Sequence, residues 1–330
     1  MEDILAAPIV VIGRNEGERL RLCLAAALRQ SDSVVYVDSE SIDGSPMLAR
    51  SLGAEVLELD SPHTPARARH AGFQFLLHRN AGLDAVQFVD SDCELAEGWL
   101  ALAEAELARR PEVGAVCGRR RERFADASIF VRLCDLEWDS PTGDVDYFGG
   151  DVLIRASAYS MAGGFNPELF TGEDPELAVR VRQKGWTIVR LPAEMTRHDS
   201  NMMRFAQWWR RTLRSGYAYA EGSWMHGLEP EHHWLRESLS IWFWGLVLPL
   251  SAAGAAFVRP EAALVILAGY PALILKIYVR MRRLGRARGD ALLYAAFCVL
   301  GKFPMALGQI RFHLGMWSGR RTRRIDYKSA

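Results

Sequence analysis

Residues 241–258 form a run of 18 positions without a charged side chain, and this run limits the possible folds more than any other feature. A second stretch, 262–279, is equally apolar except for Lys276 near its end. Because about 20 apolar helical residues cross the hydrocarbon core of a bilayer, both stretches are predicted as short membrane spans. The alternative is a soluble helical domain that buries these helices internally.

A third apolar stretch, 291–310, contains Lys302 and Pro304 in its middle. A lysine at the centre of a bilayer costs about 3 kcal/mol on insertion scales. We therefore expect this stretch to lie in the membrane interface, or to enter the membrane and return on the same side.

Charge is divided unevenly along the 330 residues, although the net charge is zero. Residues 1–230 contain 35 acidic and 25 basic side chains, and residues 231–330 contain 5 and 15. The two parts are therefore interpreted as two domains, a head at 1–230 and a membrane-associated helical region at 231–330. An acidic head also argues against a nucleic-acid binder.

Basic residues indicate the orientation in the membrane. They cluster after the second predicted span and in the tail, at Arg280, Arg282, Arg283, Arg286 and Arg288, and at Arg320, Arg321, Arg323, Arg324 and Lys328. The positive-inside rule places both clusters on the cytoplasmic side. The sequence thus predicts a multi-pass protein of the cytoplasmic (inner) membrane, with its head in the cytoplasm.

The five cysteines are scattered, odd in number and without C-x-x-C spacing. This pattern indicates reduced thiols in a cytosolic compartment and not a disulfide or zinc framework. The N-terminus lacks a basic stretch followed by an apolar run, so no signal peptide is expected.

The first 120 residues alternate between short β-rich runs and helical patterns. The predicted strands are 8–13, 34–38, 55–59, 85–89 and 113–117, and the predicted helices are 18–29, 46–52, 66–78 and 99–109. Such alternation predicts an α/β domain with a doubly wound parallel sheet. In these sheets ligands bind beyond the carboxyl ends of the strands.

Three polar clusters follow predicted strands and so meet at that edge: 14–16, 38–44 and Asp90-Ser91-Asp92. Two carboxylates one residue apart suit a hard divalent cation such as Mg²⁺, which is commonly bound by carboxylates together with substrate phosphates. The alternative for the triplet is an ordinary turn, since Asp and Ser favour turns.

Six blocks in residues 7–215 resemble the inverting glycosyltransferases of family 2, which have the GT-A fold. In chain order they are VVIGRNEGERL, VDSESIDGS, ARARHAGFQF, FVDSDCEL, GGDVLIRASAYSMAGGF and GEDPELAVRVRQKG. The resemblance implies a nucleoside-diphosphate sugar as donor, with UDP as the expected nucleotide, and Mg²⁺ or Mn²⁺ as cofactor.

The resemblance also implies residue roles at the donor site. Asp38 would accept a hydrogen bond from the nucleobase, and Glu16 would line the nucleotide pocket. Arg69 would pair with phosphate, although His70 replaces the Asn that usually follows. Asp92 would coordinate the metal, and Asp90 would contact the ribose or the metal through water.

At the acceptor side, the resemblance implies that Asp174 is the general base and that Glu173 contacts the acceptor or backbone. Locally, Asp174 before Pro175 predicts a helix N-cap with proline at the first helical position.

Gly150 would allow close approach of the sugar or acceptor, or would simply form a turn before a strand. His198, following a strand end near 191–192, would complete the metal or diphosphate contacts or would be structural.

Residues Gln207 to Arg211 only partly match the Q-x-x-R-W signature of processive polysaccharide synthases, because Arg211 replaces the final Trp. Arg210 is a candidate for pairing with the diphosphate. Trp208 and Trp209 are expected on an amphipathic helix at the membrane surface.

These observations predict a metal-dependent inverting glycosyltransferase, of the hexosyltransferase kind, acting on a membrane-presented, lipid-linked saccharide in the assembly of a cell-surface or extracellular polysaccharide. One alternative is a glycosyltransferase for polyprenyl monophosphate, which has less need of a base such as Asp174. The other is a non-catalytic membrane scaffold with the same fold, which would not need Asp92 or Asp174.

Overall fold

The computed structural model describes residues 6–61, 63–228 and 230–319. The chain forms two compact units. The α/β unit comprises residues up to Ala125 together with Glu137–Ser200, and the helical unit comprises Asp126–Leu136 together with the chain from Asn201 onward. The functional boundary expected near residue 230 stays a prediction.

The α/β unit has nine strands among its described residues, and the four that were predicted before residue 90 agree with prediction to within one residue. The nine strands are β1 (Ile9–Gly13), β2 (Val34–Asp38), β3 (Glu55–Glu58), β4 (Ala85–Asp90), β5 (Cys93–Leu95), β6 (Val113–Glu122), β7 (Gly143–Asp144), β8 (Val152–Arg155) and β9 (Thr187–His198).

The helices up to residue 183 include all four that the sequence predicts. They are α1 (Glu18–Leu28), α2 (Ser45–Ser51), α3 (Pro65–Arg79), α4 (Trp99–Arg109), α5 (Ile129–Trp138), α6 (Ala156–Met161) and α7 (Glu173–Gln183). Most of α5 belongs to the helical unit.

Within the described residues these nine strands form one mixed sheet, in the order β3-β2-β1-β4-β8-β6-β9-β5, with β7 also pairing with β9. The strands β3, β2, β1 and β4 are parallel, as predicted. The prediction of a parallel sheet is wrong beyond these four strands at β8, which runs antiparallel to both β4 and β6. The strand β5 likewise runs antiparallel to its neighbour β9.

The strand β9 is longer than predicted. It continues through Pro192 to His198, although the sequence indicated a strand end near 191–192. Its pairing with β6 has register shifts between Cys117 and Arg120. Proline is tolerated at such irregular positions, where no ladder hydrogen bond is lost. The extension brings His198 opposite Cys93 of β5 and Glu122 of β6.

The helical unit contains seven further α-helices among its described residues. They are α8 (Phe205–His226), α9 (Leu235–Trp242), α10 (Leu248–Val258), α11 (Pro260–Leu267), α12 (Gly269–Arg283), α13 (Arg288–Leu300) and α14 (Lys302–Trp317), with a π-helical segment at Phe243–Val247.

Three helical runs are long and apolar enough to cross a membrane, by length and composition: Leu235–Val258, Pro260–Arg283 and Arg288–Trp317. The first two contain the spans predicted at 241–258 and 262–279. The third contains 291–310 and is longer than expected. The basic cluster expected in the tail, 320–328, lies outside the described residues.

Helices α8 and α14 approach each other at the level of their backbones. A Cβ placed on Gly216 would lie 2.1 Å from the carbonyl oxygen of Met305, and one on Gly308 would lie 2.1 Å from that of Leu213. Trp208 of α8 is buried, with its ring 4.9 Å from that of Phe297. Its predicted exposure at a membrane surface is therefore wrong, because the residue belongs to the interior of this unit.

All five cysteines are free, in agreement with the sequence, and four of them are buried: Cys23, Cys93, Cys117 and Cys134.

Candidate active site

The loops after β1 and β2 are joined by hydrogen bonds that fix the edge of the sheet. The backbone N–H of Ile42 donates to Asn15 Oδ1 at 2.8 Å, and that of Gly17 donates to Asp43 Oδ2 at 3.1 Å. Asn15 has a positive φ of 55°, which Asn tolerates better than most residues. The two polar clusters therefore form one surface beside the ends of β1 and β2.

Asp38 lies at the end of β2 and is buried. Its carboxylate accepts hydrogen bonds from the Tyr36 hydroxyl and the Ser41 backbone N–H, both at 2.8 Å. These bonds orient the side chain and also form the local turn that was the alternative interpretation. Glu16, also buried, pairs with Arg19 at 2.7 Å.

Asp90 lies at the end of β4 between two arginines. Arg69 Nη2 donates to Oδ1 at 2.5 Å, and Arg120 Nη2 lies 3.3 Å from Oδ2. Burial alone would raise the pKa of Asp90, but the two guanidinium groups outweigh it and lower the pKa below its usual value. Asp90 is therefore an ionised carboxylate with both oxygens already paired.

A buried aspartate, Asp151, lies directly before β8 and supports this arrangement. Its Oδ1 accepts the backbone N–H of Asp90 at 2.9 Å, and its Oδ2 accepts the Thr196 hydroxyl at 2.7 Å. The same Oδ2 lies 2.7 Å from Arg120. Asp151 thus fixes both the backbone of Asp90 and one of its arginines.

Arg69 connects the triplet with the predicted base. The side chain is buried, and its Nη1 donates to Glu173 Oε1 at 2.9 Å and lies 3.2 Å from Asp174 Oδ1. Its guanidinium also lies over the Phe165 ring, 5.3 Å from the centroid. The structure therefore gives Arg69 three carboxylate partners, and its expected pairing with a phosphate stays a prediction.

Glu173 and Asp174 are the first two residues of α7, after Gly172 with φ 78°. The prediction that Asp174 is the N-cap is wrong: the N-cap is Gly172 and the helix begins at Glu173, two residues earlier than predicted, with Pro175 in its first turn. Proline is tolerated there because the first turn lacks intrahelical N–H partners.

Asp174 differs from its neighbour in its bonding. Its Oδ1 makes no hydrogen bond to any residue that the structure describes, whereas Glu173 is bonded to Arg69. Burial raises the pKa of Asp174; Arg69 opposes this, Glu173 and Asp90 add to it, and the pKa reaches about 8. Its protonation therefore changes near neutral pH, which suits a general base.

Asp92 and His198 lie together beside the triplet. His198 Nε2 is 3.5 Å from Asp92 Oδ2, and both side chains are buried. Burial alone would lower the pKa of His198, but Asp92 and Glu122 raise it to about 9. Asp92, Cys93 and His198 each offer a ligand atom, and these atoms lie within 4.8 Å of one another.

This donor set fits a divalent cation. Carboxylate and imidazole ligands suit Mn²⁺, and a carboxylate suits Mg²⁺. A thiol is a soft ligand that these hard cations use less than they use carboxylate oxygens. Asp92 and His198 are therefore the residues that could hold the ion, with Asp90 adjacent but paired to arginines.

Gly150 lies against the same cluster. A Cβ at this position would be 2.5 Å from Asp90 Oδ2 and 2.6 Å from Arg69 Nη2, whereas one at Gly149 would meet nothing within 4 Å. Glycine at 150 therefore permits the ion pair between Asp90 and Arg69.

Arg210 and His70 are two further residues that the sequence singled out. Arg210 belongs to the helical unit, where it is exposed on α8, so its role in diphosphate binding stays a prediction. His70, the departure from the family block, is placed with its Nδ1 3.2 Å from the Tyr159 hydroxyl.

Sequence reasoning missed Arg120, Glu122 and Asp151. The strand β6 was expected to end at Cys117, but it continues to Glu122. The sequence shows no alternation of polarity there, because residues 119–122 are all charged; in the structure Arg120 and Glu122 are buried, whereas Arg119 and Arg121 are half-buried. This alternation of burial is typical of a strand with one buried face.

Residues 9–144 match the family model described as Glycosyl transferase family 2. A TPR repeat-containing protein of Synechococcus elongatus is 26% identical over 191 residues, which cover 58% of this chain and 41% of that protein. This chain thus spans less than half the length of that curated relative.

Solved structures share the fold. The mannosyltransferase PcManGT of Pyrobaculum calidifontis, solved with GDP-Man and Mn²⁺, gives a TM-score of 0.64 at 19% identity and covers 93% of this chain and 87% of its own. TarS of S. aureus gives 0.50 at 16% identity, covering 92% and 55%. The family-model match over residues 9–144 and the fold shared with these structures support a glycosyltransferase.

Proposed function

We propose that the protein transfers a sugar, with inversion, from a nucleoside-diphosphate sugar to a lipid-linked saccharide at the cytoplasmic face of a membrane. Asp174 carries this proposal, since it is a half-buried carboxylate at a helix start with a pKa of about 8, and its Oδ1 lies in an ion pair with Arg69 but makes no hydrogen bond to a described residue. The assembly of a cell-surface or extracellular polysaccharide is the process that such an acceptor suggests.

Asp174 acts as the general base. Its carboxylate takes the proton of the acceptor hydroxyl, whose oxygen attacks the anomeric carbon from the face opposite the diphosphate. The bond from that carbon to the diphosphate oxygen breaks, which inverts the configuration. Arg69 and the start of α7 hold the carboxylate in one direction, and positioned bases of this kind contribute roughly 10²–10⁴-fold to a rate.

Asp92 and His198 hold the divalent cation, and Asp90 orients the donor. When bound, the cation neutralises charge on the leaving nucleoside diphosphate. Asp90 is already balanced by Arg69 and Arg120, which favours a contact with ribose or water over direct coordination. Asp38 and Glu16 lie at the ends of β2 and β1, where the nucleotide would bind.

The helical unit supports a membrane-bound acceptor. Its three long apolar helices suggest membrane association. Helix α14 packs along α8, which contains Arg210, Arg211 and Arg214. Because these arginines are costly in hydrocarbon, we place the α14 half of the third helix in the interface, as expected from Lys302. Lys302 itself donates to the Ser240 hydroxyl at 3.1 Å.

Two other functions are less well supported. A polyprenyl-monophosphate acceptor already carries a charged nucleophile, so it would leave Asp174 without a role. A non-catalytic scaffold would not require the buried ion pairs around Asp90, since buried charges are costly to maintain.

The test is release of nucleoside diphosphate by detergent-purified protein, across a panel of donors that includes UDP-sugars and GDP-mannose. Each donor is tried with Mn²⁺ or Mg²⁺, with and without a membrane-lipid extract as acceptor. An Asp174→Asn variant and an EDTA-treated sample run in parallel. We expect one donor to be turned over, and both controls to abolish that turnover.

Separate outcomes test the separate parts. Turnover that survives EDTA would remove the metal from the proposal. Turnover by Asp174→Asn at the wild-type rate would remove the base and favour the monophosphate acceptor. Neither turnover nor binding of any donor would favour the scaffold. Retention of configuration in the product would contradict inversion.

A further inference from the structure

Glu122, the last residue of β6, is buried beside His198. Its Oε1 lies 2.6 Å from His198 Nδ1 and accepts the Trp138 indole N–H at 3.4 Å. Its Oε2 accepts the backbone N–H of Ser200 at 3.2 Å. Both oxygens are therefore engaged, and the carboxylate has a fixed orientation.

The backbone around His198 is held on two sides. In the sheet, His198 pairs with Glu122 of β6 and with Cys93 of β5. The backbone pairing does not determine how the imidazole ring is oriented or which ring nitrogen carries a proton. Glu122 contacts one ring nitrogen, Nδ1, and Asp92 lies beside the other, Nε2.

We propose that Glu122 is a positioning residue for cation binding, and this inference rests on the metal site of the proposed function. By accepting the Nδ1–H of His198, Glu122 leaves Nε2, the nitrogen beside Asp92, as the one that would bind the cation in place of its proton. A carboxylate behind a metal-binding histidine orients the ring and raises its basicity as a ligand. Glu122 itself touches neither the donor nor the cation.

The contacts of Glu122 also restrain the ring. Its Oε1 lies 2.6 Å from Nδ1 of His198, on the side of the imidazole away from Asp92. Trp138 and Ser200 hold the carboxylate, so that rotation of the imidazole is opposed from behind.

The test measures Mn²⁺ affinity by electron paramagnetic resonance on the full-length protein in detergent, without donor and with UDP or GDP. The variants are His198→Ala, Glu122→Gln, Glu122→Ala and the double variant His198→Ala/Glu122→Ala. Glu106→Gln is the matched control, because Glu106 is also buried but pairs with Arg109 on α4. Thermal unfolding without metal is followed for each variant.

We expect Glu122→Ala to weaken Mn²⁺ binding by about 10–100-fold, the range for lost partners of metal-binding histidines. Glu122→Gln should weaken it less, because its amide oxygen still accepts the Nδ1–H. The double variant should bind no more weakly than His198→Ala alone, since Glu122 acts through His198. Glu106→Gln should bind as the wild type does.

Each contrary result has a distinct meaning. Unchanged affinity in Glu122→Gln and Glu122→Ala, with a loss in His198→Ala, overturns the role of Glu122 but leaves the metal site. Additive losses in the double variant overturn it as well, because Glu122 would then act independently of His198. If the wild type binds no Mn²⁺ with or without nucleotide, both this inference and the metal part of the proposed function fail. Should Glu122→Ala not fold, Glu122→Gln and its combination with His198→Ala decide by the same criterion.

Discussion

The α/β unit and the helical unit use opposite means to fix their interiors. In the α/β unit, Asp90, Asp151 and Glu173 are joined by Arg69 and Arg120 in one buried ion-pair network. In the helical unit, helices α8 and α14 meet through glycine, with backbone against backbone. The first arrangement orients charges, and the second brings helices close together.

This difference shows what each unit can tolerate. Buried ion pairs contribute little net stability, but removal of one partner leaves an uncompensated charge. A site made in this way is therefore sensitive to the loss of either partner, in folding as well as in activity. Close helix packing works through volume, so an added methyl group is felt as strain. The helical unit should therefore be sensitive in folding.

The largest expected effect is that of Gly150→Ala on turnover. The new Cβ would lie 2.5 Å from Asp90 Oδ2 and would displace the pair between Asp90 and Arg69. A misplacement of about 1 Å can cost about 100-fold in rate, and we expect a loss of that order in kcat/KM. Gly149→Ala is the matched control, because its Cβ meets nothing within 4 Å. Equal rates for the two variants would break the comparison.

The second prediction concerns the pH dependence of kcat/KM, and it tests whether Asp174 is the base. Asp174 must be ionised to accept a proton, and burial raises its pKa to about 8. Below that pH, kcat/KM should fall about tenfold per unit, because it reports the ionisation of the free enzyme. A profile that is flat from pH 6 to 9 would contradict the assignment.

The same ionisation affects stability with a defined sign. An unfolded aspartate ionises near pH 3.8, whereas folded Asp174 keeps its proton up to about pH 8. The folded protein binds the extra proton in this window, so its contribution to stability is present at low pH and is lost as pH rises toward 8. Thermal unfolding of Asp174→Asn against wild type across this range isolates that contribution.

The sequence located much of the site because strand ends are visible in an apolar pattern. The bounds of β2 and α4 agree with prediction, and the triplet at Asp90 follows directly from the end of β4. The edge of the sheet at which the charged residues lie was also predictable, because the polar clusters follow the ends of the strands. The metal, inversion and individual site residues remain predictions.

The rest depended on contacts between distant segments. Arg120 and Glu122 looked like part of a polar loop because five charged residues, 119–123, follow Gly118, yet the strand continues and buries alternate positions. Trp208 on an amphipathic helix looked like a membrane contact until Phe297, far along the chain, proved to cover it. Local patterns do not specify which partner covers a side chain.

A fourth prediction tests the close backbone contact at Gly308 in the helical unit. Gly308→Ala would place a Cβ 2.1 Å from the Leu213 carbonyl oxygen. Overpacking of this kind costs about 1–3 kcal/mol, so we expect a lower unfolding temperature in detergent. Gly254→Ala, also helical, meets nothing within 4 Å and should gain up to about 1 kcal/mol from helix propensity. Shifts of the same sign in both variants would contradict close packing at Gly308.

The smallest expected effect concerns a polar contact inside the helical unit. The hydroxyl of buried Ser238 donates to Gln309 Oε1 at 3.2 Å, and Gln309 is fully buried. Ser238→Ala removes this bond but leaves the one from Gln309 Nε2 to the Ser238 carbonyl, so the loss should be about 1 kcal/mol. Ser251→Ala, at an exposed position of α10, is the control for unfolding in detergent. A loss in Ser238→Ala as large as that in Gly308→Ala would mean that hydrogen bonds fix this unit as strongly as packing does, and the contrast between the two units would then weaken.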